Sequence, residues 1–349
     1  MSPSITTALL AQVVRGALVE SEHVGSLIVL DPDGGALLTL GDPDQLVYGR
    51  SSLKPLQAVA MLRSGLDLHG AHLALAAASH NGEPGHIEGV REILAGAGLD
   101  ESALQNTPTL PLDAAAALDW QLAGRGPESV AQNCSGKHAA MLATCVAAGG
   151  DTAGWDTAAY LDPGHPLQLA VRATLAELTG EPASHPTVDG CGAPLFATTL
   201  RGLARAFATI ARAPQMAPGS AEARVAQAMS AHPWHVAGTG RDATEVMRAA
   251  PGLIAKDGAE GVYAAALPDG TSIAFKVADG SARPRPAILR AALRVAGADQ
   301  APGADVGALD RAGRVDVLGH GRPVGAVIAA FGEGFGAAAD QAADGAGRA

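Results

Sequence analysis

Hydrophobic and polar positions pass through three regimes along the chain. Near the start, His23 to Asp31 is rich in Val, Ile and Leu. Pro32-Asp33-Gly34-Gly35 then supplies turn chemistry before Ala36-Leu37-Leu38-Thr39-Leu40, and the pattern predicts a β-hairpin. From Ser52 to about Ser64 the apolar residues Leu53, Leu56, Val59, Ala60 and Leu62 recur at helical spacing, with Pro55 tolerable in the first turn. Further helical runs follow at Leu73 to Ala78, Ile87 to Ala95, Gln132 to about Ala148, His165 to Leu178, Leu195 to Ala211, Ala221 to Ala231 and Arg241 to Ala249. The period then becomes strand-like. Gly252 to Gly258, Gly261 to Ala266 and Thr271 to Val277 read as successive antiparallel strands, with Pro268-Asp269-Gly270 as a turn. Pro286 to Val295 reads as a late helix and Val315 to Phe331 supplies an edge strand.

The plan is α+β, a helical block inserted into an antiparallel sheet. Residues 1–50 and 251–335 form a discontinuous sheet domain, 51–250 an inserted mainly helical domain, and the Ala/Gly-rich stretch 336–349 a flexible tail. No internal repeat interrupts it.

Composition narrows the class. A chain of 349 residues that is 48% hydrophobic and 17% charged has enough apolar residues for a large core. Its net charge of -11 and lack of basic runs argue against nucleic acid or an anionic membrane surface as a partner. No apolar segment approaches membrane-spanning length, and Met1-Ser2-Pro3-Ser4 lacks the positive region of an export signal. Three cysteines, an odd number, point to thiols in a reducing compartment, so the expected location is cytoplasmic.

The candidate chemistry begins at Tyr48-Gly49-Arg50-Ser51-Ser52-Leu53-Lys54-Pro55-Leu56-Gln57, where a loop runs into a helix. Ser51 and Lys54 stand three residues apart, so in a helical first turn hydroxyl and amine share one face. A neutral lysine there serves as base for the serine; a helix cap followed by a surface lysine explains the same tetrad. Lysine usage favours chemistry. Only Lys54, Lys137, Lys256 and Lys276 occur among 24 basic residues, and lysine is needed where the amine must lose its proton, which arginine cannot do. Lys276, in strand alternation after Phe275, reads as an ordinary sheet lysine.

Ser79-His80-Asn81-Gly82-Glu83-Pro84-Gly85-His86 gathers polar side chains around glycines, as a ligand loop or as a helix end followed by a cap. In Asn133-Cys134-Ser135-Gly136-Lys137-His138 a thiol and an amine are three residues apart at a helix start, which suits a reactive thiol or a soft metal ligand. Cys145 reads as a small buried residue, whereas Cys191 lies between Gly190 and Gly192 in an exposed turn. Two cysteines alone make an incomplete zinc site.

Together, Tyr-Gly-Arg-Ser-Ser-Leu-Lys-Pro-Leu-Gln, Ser-His-Asn-Gly-Glu, Asn-Cys-Ser-Gly-Lys-His, Val-Asp-Gly-Cys-Gly-Ala-Pro and Ala-Lys-Asp-Gly-Ala-Glu-Gly-Val resemble the thermolabile, Rhizobium-type class of L-asparaginases. The resemblance implies a fold like serine β-lactamases and glutaminases, a homodimer, and hydrolysis of L-asparagine to L-aspartate and ammonia. It implies two Ser-Lys pairs, Ser51 with Lys54 and Ser79 with Lys256, and a zinc ion held by Cys134, Lys137 and Cys191. The implied route is acyl transfer through an ester on Ser51, with Ser79 and Lys256 relaying a proton or activating water. Glu83 and Arg50 or Arg241 are expected to anchor the substrate's ammonium and carboxylate, with His80 and His138 hydrogen-bonding nearby. A glutaminase, an esterase-type Ser-x-x-Lys hydrolase and a non-catalytic zinc-binding scaffold remain alternatives.

Overall fold

The structure is a computed structural model that describes residues 6–148 and 154–332. The tail expected at 336–349 lies outside the described residues. In chain order, β1 (Ala8–Arg15), β2 (Leu18–Leu30), β3 (Ala36–Leu40) and β4 (Leu46–Tyr48) precede six helices. These are α1 (Lys54–Arg63), α2 (Gly70–Ala76), α3 (Pro84–Gly96), α4 (Ala114–Leu122), α5 (Ser135–Ala147) and α6 (Pro166–Thr179). Strands β5 (Ser184–Val188) and β6 (Pro194–Thr199) lead to α7 (Leu200–Met216), α8 (Ala221–Ala231), α9 (Pro233–Val236) and α10 (Asp242–Ala249). Strands β7 (Ile254–Asp257), β8 (Val262–Ala266) and β9 (Ser272–Val277), helices α11 (Arg285–Val295) and α12 (Val306–Gly313), and strands β10 (Asp316–Gly319) and β11 (Arg322–Ala329) complete the mixed α+β fold.

The main sheet is antiparallel, in the order β10-β11-β1-β2-β9-β8-β7, with β3 also paired to β2. The N-terminal hairpin meets the C-terminal strands through β2 and β9, where Gly25 faces Val277 and Leu30 faces Ser272. Leu27, Ile28, Val29 and Leu30 are all buried, so both faces of the sheet are covered there. Helix α7 packs on β2, β8 and β9, and α11 on β1, β9 and β11. Leu200, Leu203, Phe207 and Ile210 form the buried stripe of α7 at helical spacing.

Three sequence expectations change. The helix expected from Leu195 begins only at Leu200, because Pro194 to Thr199 is taken by β6 in a second sheet of order β4-β6-β5. Val315 to Phe331, expected to supply an edge strand, holds two strands, β10 at the edge and β11 inside it against β1. The apolar run from Ala8 is itself a strand, pairing with β2 and β11. The small sheet matters for the site: β4 delivers the chain to Ser51, while the turn between β5 and β6 carries Asp189 to Cys191 beside it. Gly192, with φ of +90°, closes that turn in a conformation side-chain-bearing residues rarely adopt. Among the described residues no helix is long and apolar enough to cross a membrane.

Candidate active site

Ser51 sits in a 3₁₀ turn, Arg50–Leu53, that runs directly into α1. The turn is entered through strain: Arg50 has φ of +49°, a conformation that costs a non-glycine residue about 1–3 kcal/mol. Its guanidinium is held by Asp189, Nε to Oδ1 at 2.8 Å, which ties the Ser51 turn to the Cys191 turn. Ser51 is half-buried, whereas Ser52 is buried and donates its hydroxyl to the Lys256 carbonyl at 3.1 Å. The Ser52 backbone N–H is taken by Gly49 O at 3.0 Å, which removes it from the candidates for stabilising an oxyanion. Gly258 lets β7 come this close, since an added Cβ would lie 2.9 Å from Gly49 O and 3.0 Å from Ser52 Oγ.

Lys54, Lys137 and Lys256 are all sealed from solvent, at 1%, 1% and 0% exposure, while Lys276 is not. Lys54 Nζ donates to the Ala78 carbonyl at 2.5 Å and lies 3.0 Å from Ser79 Oγ and 3.1 Å from Cys134 Sγ. Its hydroxyl partner is therefore Ser79, not Ser51 one turn earlier. Lys256 Nζ donates to Asp257, at 2.7 Å to both the carbonyl and Oδ1, and has no hydrogen bond to Ser79. Burial lowers the Lys256 amine to about 8, although the Asp257 carboxylate opposes the shift. Burial also acts to raise Asp257, but Lys256, Arg241 and Arg285 together hold it below the usual carboxylate range. The arginines stand at 2.7 Å and 3.5 Å from its Oδ2.

The expected substrate anchors all have protein partners. Arg241 bridges Asp257 and Asn81 Oδ1, the latter at 3.2 Å. Glu83 accepts from Thr239 N and Oγ1, both at 2.8 Å, and from Asn81 Nδ2 at 3.1 Å. His80 is buried, accepts from Gly82 N at Nδ1 and so donates from Nε2 to Ser135 Oγ at 2.9 Å. Burial keeps it neutral. His138 pairs through Nδ1 with the Tyr160 hydroxyl at 2.8 Å.

Cys134 and Cys191 pack together in one buried cluster, and Lys137 Nζ lies 3.1 Å from Cys191 Sγ. All three cysteines are free and buried, Cys145 as expected and Cys191 against the exposed turn expected for it, because it packs on Cys134. The hydrogen bond from Cys134 lowers Cys191 strongly despite burial, and the same contact raises Cys134. Burial acts to lower Lys137, but the Cys191 thiolate holds its ammonium. Among the described residues no group of three or more His, Cys, Asp or Glu is arranged for a metal. The third donor here is an amine. The set nonetheless fits a soft cation: two sulfurs and a nitrogen converge out of water, with His138 buried beside Cys191. A divalent ion there would replace the protons that Lys137 and Cys134 carry.

Sequence reading missed Asp257, Asp189, Tyr160 and Arg285. Two were legible within quoted motifs, Asp257 next to Lys256 and Asp189 two residues before Cys191. Tyr160 and Arg285 reach the site only through tertiary contacts.

Against known proteins, the model of the family described as L-asparaginase II matches residues 11–329. No curated protein matches significantly. Among solved structures, Mglu in its native form is 15% identical with a TM-score of 0.42, over 79% of this chain and 64% of that one. The chain thus spans just under two thirds of Mglu's length. A β-lactamase from Mycobacterium bovis is 17% identical with a TM-score of 0.41, over 78% and 94% of the two chains. These likenesses are too weak to carry an argument, whereas the family match runs through both sheets, the Ser51 turn and the thiol cluster. On that match the chain belongs to the L-asparaginase II family.

Proposed function

We propose that the protein is an L-asparaginase, hydrolysing the side-chain amide of L-asparagine to L-aspartate and ammonia through an ester on Ser51. The observation that carries this reading is Lys54, a buried amine 3.0 Å from Ser79 Oγ and one helical turn from a half-buried serine. Ser51 is the more accessible hydroxyl and so the better nucleophile; Ser79, at 2% exposure, holds the base and passes protons.

Ser51 Oγ attacks the amide carbon as its proton passes to neutral Lys54, directly or through Ser79. The new C–O bond replaces the C–N bond, and the nitrogen leaves as ammonia with the proton returned by Lys54. Water then attacks the ester, its proton again taken by the lysine, and L-aspartate is released with Ser51 restored. Lys256, also buried, is held by its own carboxylate, Asp257, and leaves Lys54 as the amine beside the serines. Glu83 and Arg241 line the loop side, where a free amino acid presents its ammonium and carboxylate.

If zinc is resident, Cys134, Cys191 and Lys137 hold it, and it supplies fixed positive charge that keeps both sulfurs deprotonated beside Lys54. The cluster's position then makes Lys54 a link between nucleophile and metal site. Chelation should change folding stability or substrate affinity before it changes chemistry; loss of turnover with affinity and folding intact would assign the metal a direct role. A homodimer and a cytoplasmic location belong to the same proposal, the first checked by sedimentation.

The test is ammonia release from L-asparagine and L-glutamine by the parent and by Ser51→Ala. Release from asparagine lost in the variant supports the reading. Release surviving it moves the nucleophile to Ser79, preference for glutamine makes the protein a glutaminase, and no release from either amide removes the assignment.

A further inference from the structure

Helices α10, α11 and α12 enclose a solvent-open cavity of about 470 Å³ that shares only Arg241 with the proposed chemistry. It is lined by four arginines, Arg241, Arg285, Arg311 and Arg314, against two carboxylates, Asp242 and Glu245. In a chain of net charge -11 this is a local reversal of sign. Much of the negative charge nearby is already engaged. Glu245 pairs with Arg248 at 3.2 Å, and Arg314 with Asp316 at 2.7 Å.

The positive charge is less fully engaged. Among the described residues Arg311 has no ion pair and no side-chain hydrogen bond, although it is exposed on the cavity wall. Arg285 reaches Gly258 O at 3.2 Å and Asp257 at 3.5 Å, but its Nε is buried without a partner. A guanidinium left with unmet donors lowers the cost of binding an oxygen acceptor. The first residues of both α10 and α11 also open on this cavity, so two helix dipoles add to the positive field. Asp242 is pushed up by burial, which weakens the main counter-charge.

We propose that this cavity binds a small oxyanion carrying two or more negative charges, of the phosphate or dicarboxylate class, and that its occupancy is felt in the active site. Arg311 and Arg314 capture the anion at the rim. Arg241 and Arg285 form the inner wall, and both also hold Asp257, the carboxylate paired with Lys256. An anion that draws either arginine towards the cavity loosens its hold on Asp257. The binding half stands without the proposed function; the coupling half rests on it.

Titration calorimetry of the full-length protein with inorganic phosphate and, separately, with succinate, at ionic strength fixed with KCl, tests the binding half. One saturable site for either probe is expected, and which probe binds tighter separates the two sources of the chemistry. Arg311→Gln/Arg314→Gln should weaken that binding by about tenfold or more. Arg311→Lys should retain most of it. Both positions are exposed, so the fold and the basal ammonia release without anion should be unchanged. Absence of saturable binding of both probes, or equal affinity in parent and double variant, overturns the site. In the coupling arm, saturating probe should change ammonia release by the parent and not by the double variant. A parent indifferent to bound anion overturns the coupling.

Discussion

Lys54 and Lys256 are both shut away from water, yet they stand in opposite electrical surroundings. Lys256 is matched by a carboxylate at 2.7 Å that two arginines grip in turn. Lys54 touches a carbonyl, a hydroxyl and a thiol, and no carboxylate is among its hydrogen-bond partners. A buried amine with a carboxylate beside it is committed to that partner; one held by a hydroxyl, a thiol and a carbonyl is placed to exchange a proton with the hydroxyl. On the proposed mechanism Lys54 is the amine that exchanges protons with serine, while Lys256 stays locked to Asp257.

The largest expected effect breaks the Lys54 side. Lys54→Met keeps the length of the side chain and removes the base, so kcat should fall by about 10²–10⁴-fold. Ser79 and Cys134 lose a partner but not a counter-charge, so folding should suffer less than activity. Steady-state kinetics with a denaturation curve on the same sample checks both. A large stability loss with near-normal kcat would make Lys54 a structural residue.

Removing Asp257 attacks the other side through stability. Asp257→Asn leaves Lys256, Arg241 and Arg285 facing one another without their common anion, and breaking a buried pair of this kind costs about 3–5 kcal/mol. Denaturant unfolding should show the loss, with activity falling as the fold loosens.

The same lysine gives a smaller, signed effect with pH. In the folded protein Lys256 releases its proton near 8, against 10.5 for an ordinary lysine. Below pH 8 folded and unfolded states both hold the proton, and the group adds no slope. Between about 8 and 10.5 the unfolded chain binds more protons, so this group makes stability rise with pH. Subtracting the profile of Lys256→Met from that of the parent should isolate a rise in that window. A difference curve that is flat or falling there would contradict the low value for Lys256.

How much of this was legible beforehand follows from what each signal depends on. The rarity of lysine pointed to three buried amines because burial of a titratable amine is a demand on residue type, readable without coordinates. The β2–β3 hairpin and α1 were legible from period and turn residues. Strand β6 was missed although Thr198 and Thr199 interrupt the apolar run and Thr199 caps α7; its strand character comes from pairing with β4 and β5. Pairing partners were misjudged for the same reason: Ser79 is nearest Lys54, a fact set by how α1 packs near α2 and α5, not by spacing within either motif. The Asp257 grip by Arg285 spans 28 residues and left no local trace.

The gentlest probe sharpens the contrast from the loop side. Glu83, Asn81, Arg241, Asp257 and Lys256 form one chain of hydrogen bonds and ion pairs, so the Lys256 side of the site reaches out to Glu83. Glu83→Gln keeps an oxygen for the Thr239 N–H, removes the charge, and puts an N–H₂ group where the Thr239 hydroxyl now donates. If that charge anchors the substrate ammonium, KM should rise by about tenfold or less with kcat nearly unchanged, since the interaction is made equally in the ground and transition states. If Glu83 only staples Thr239, KM should stay put while the melting temperature falls slightly. A drop in kcat instead would mean that the charge is transmitted along the chain to Lys256, and the two lysines would then act as one coupled device.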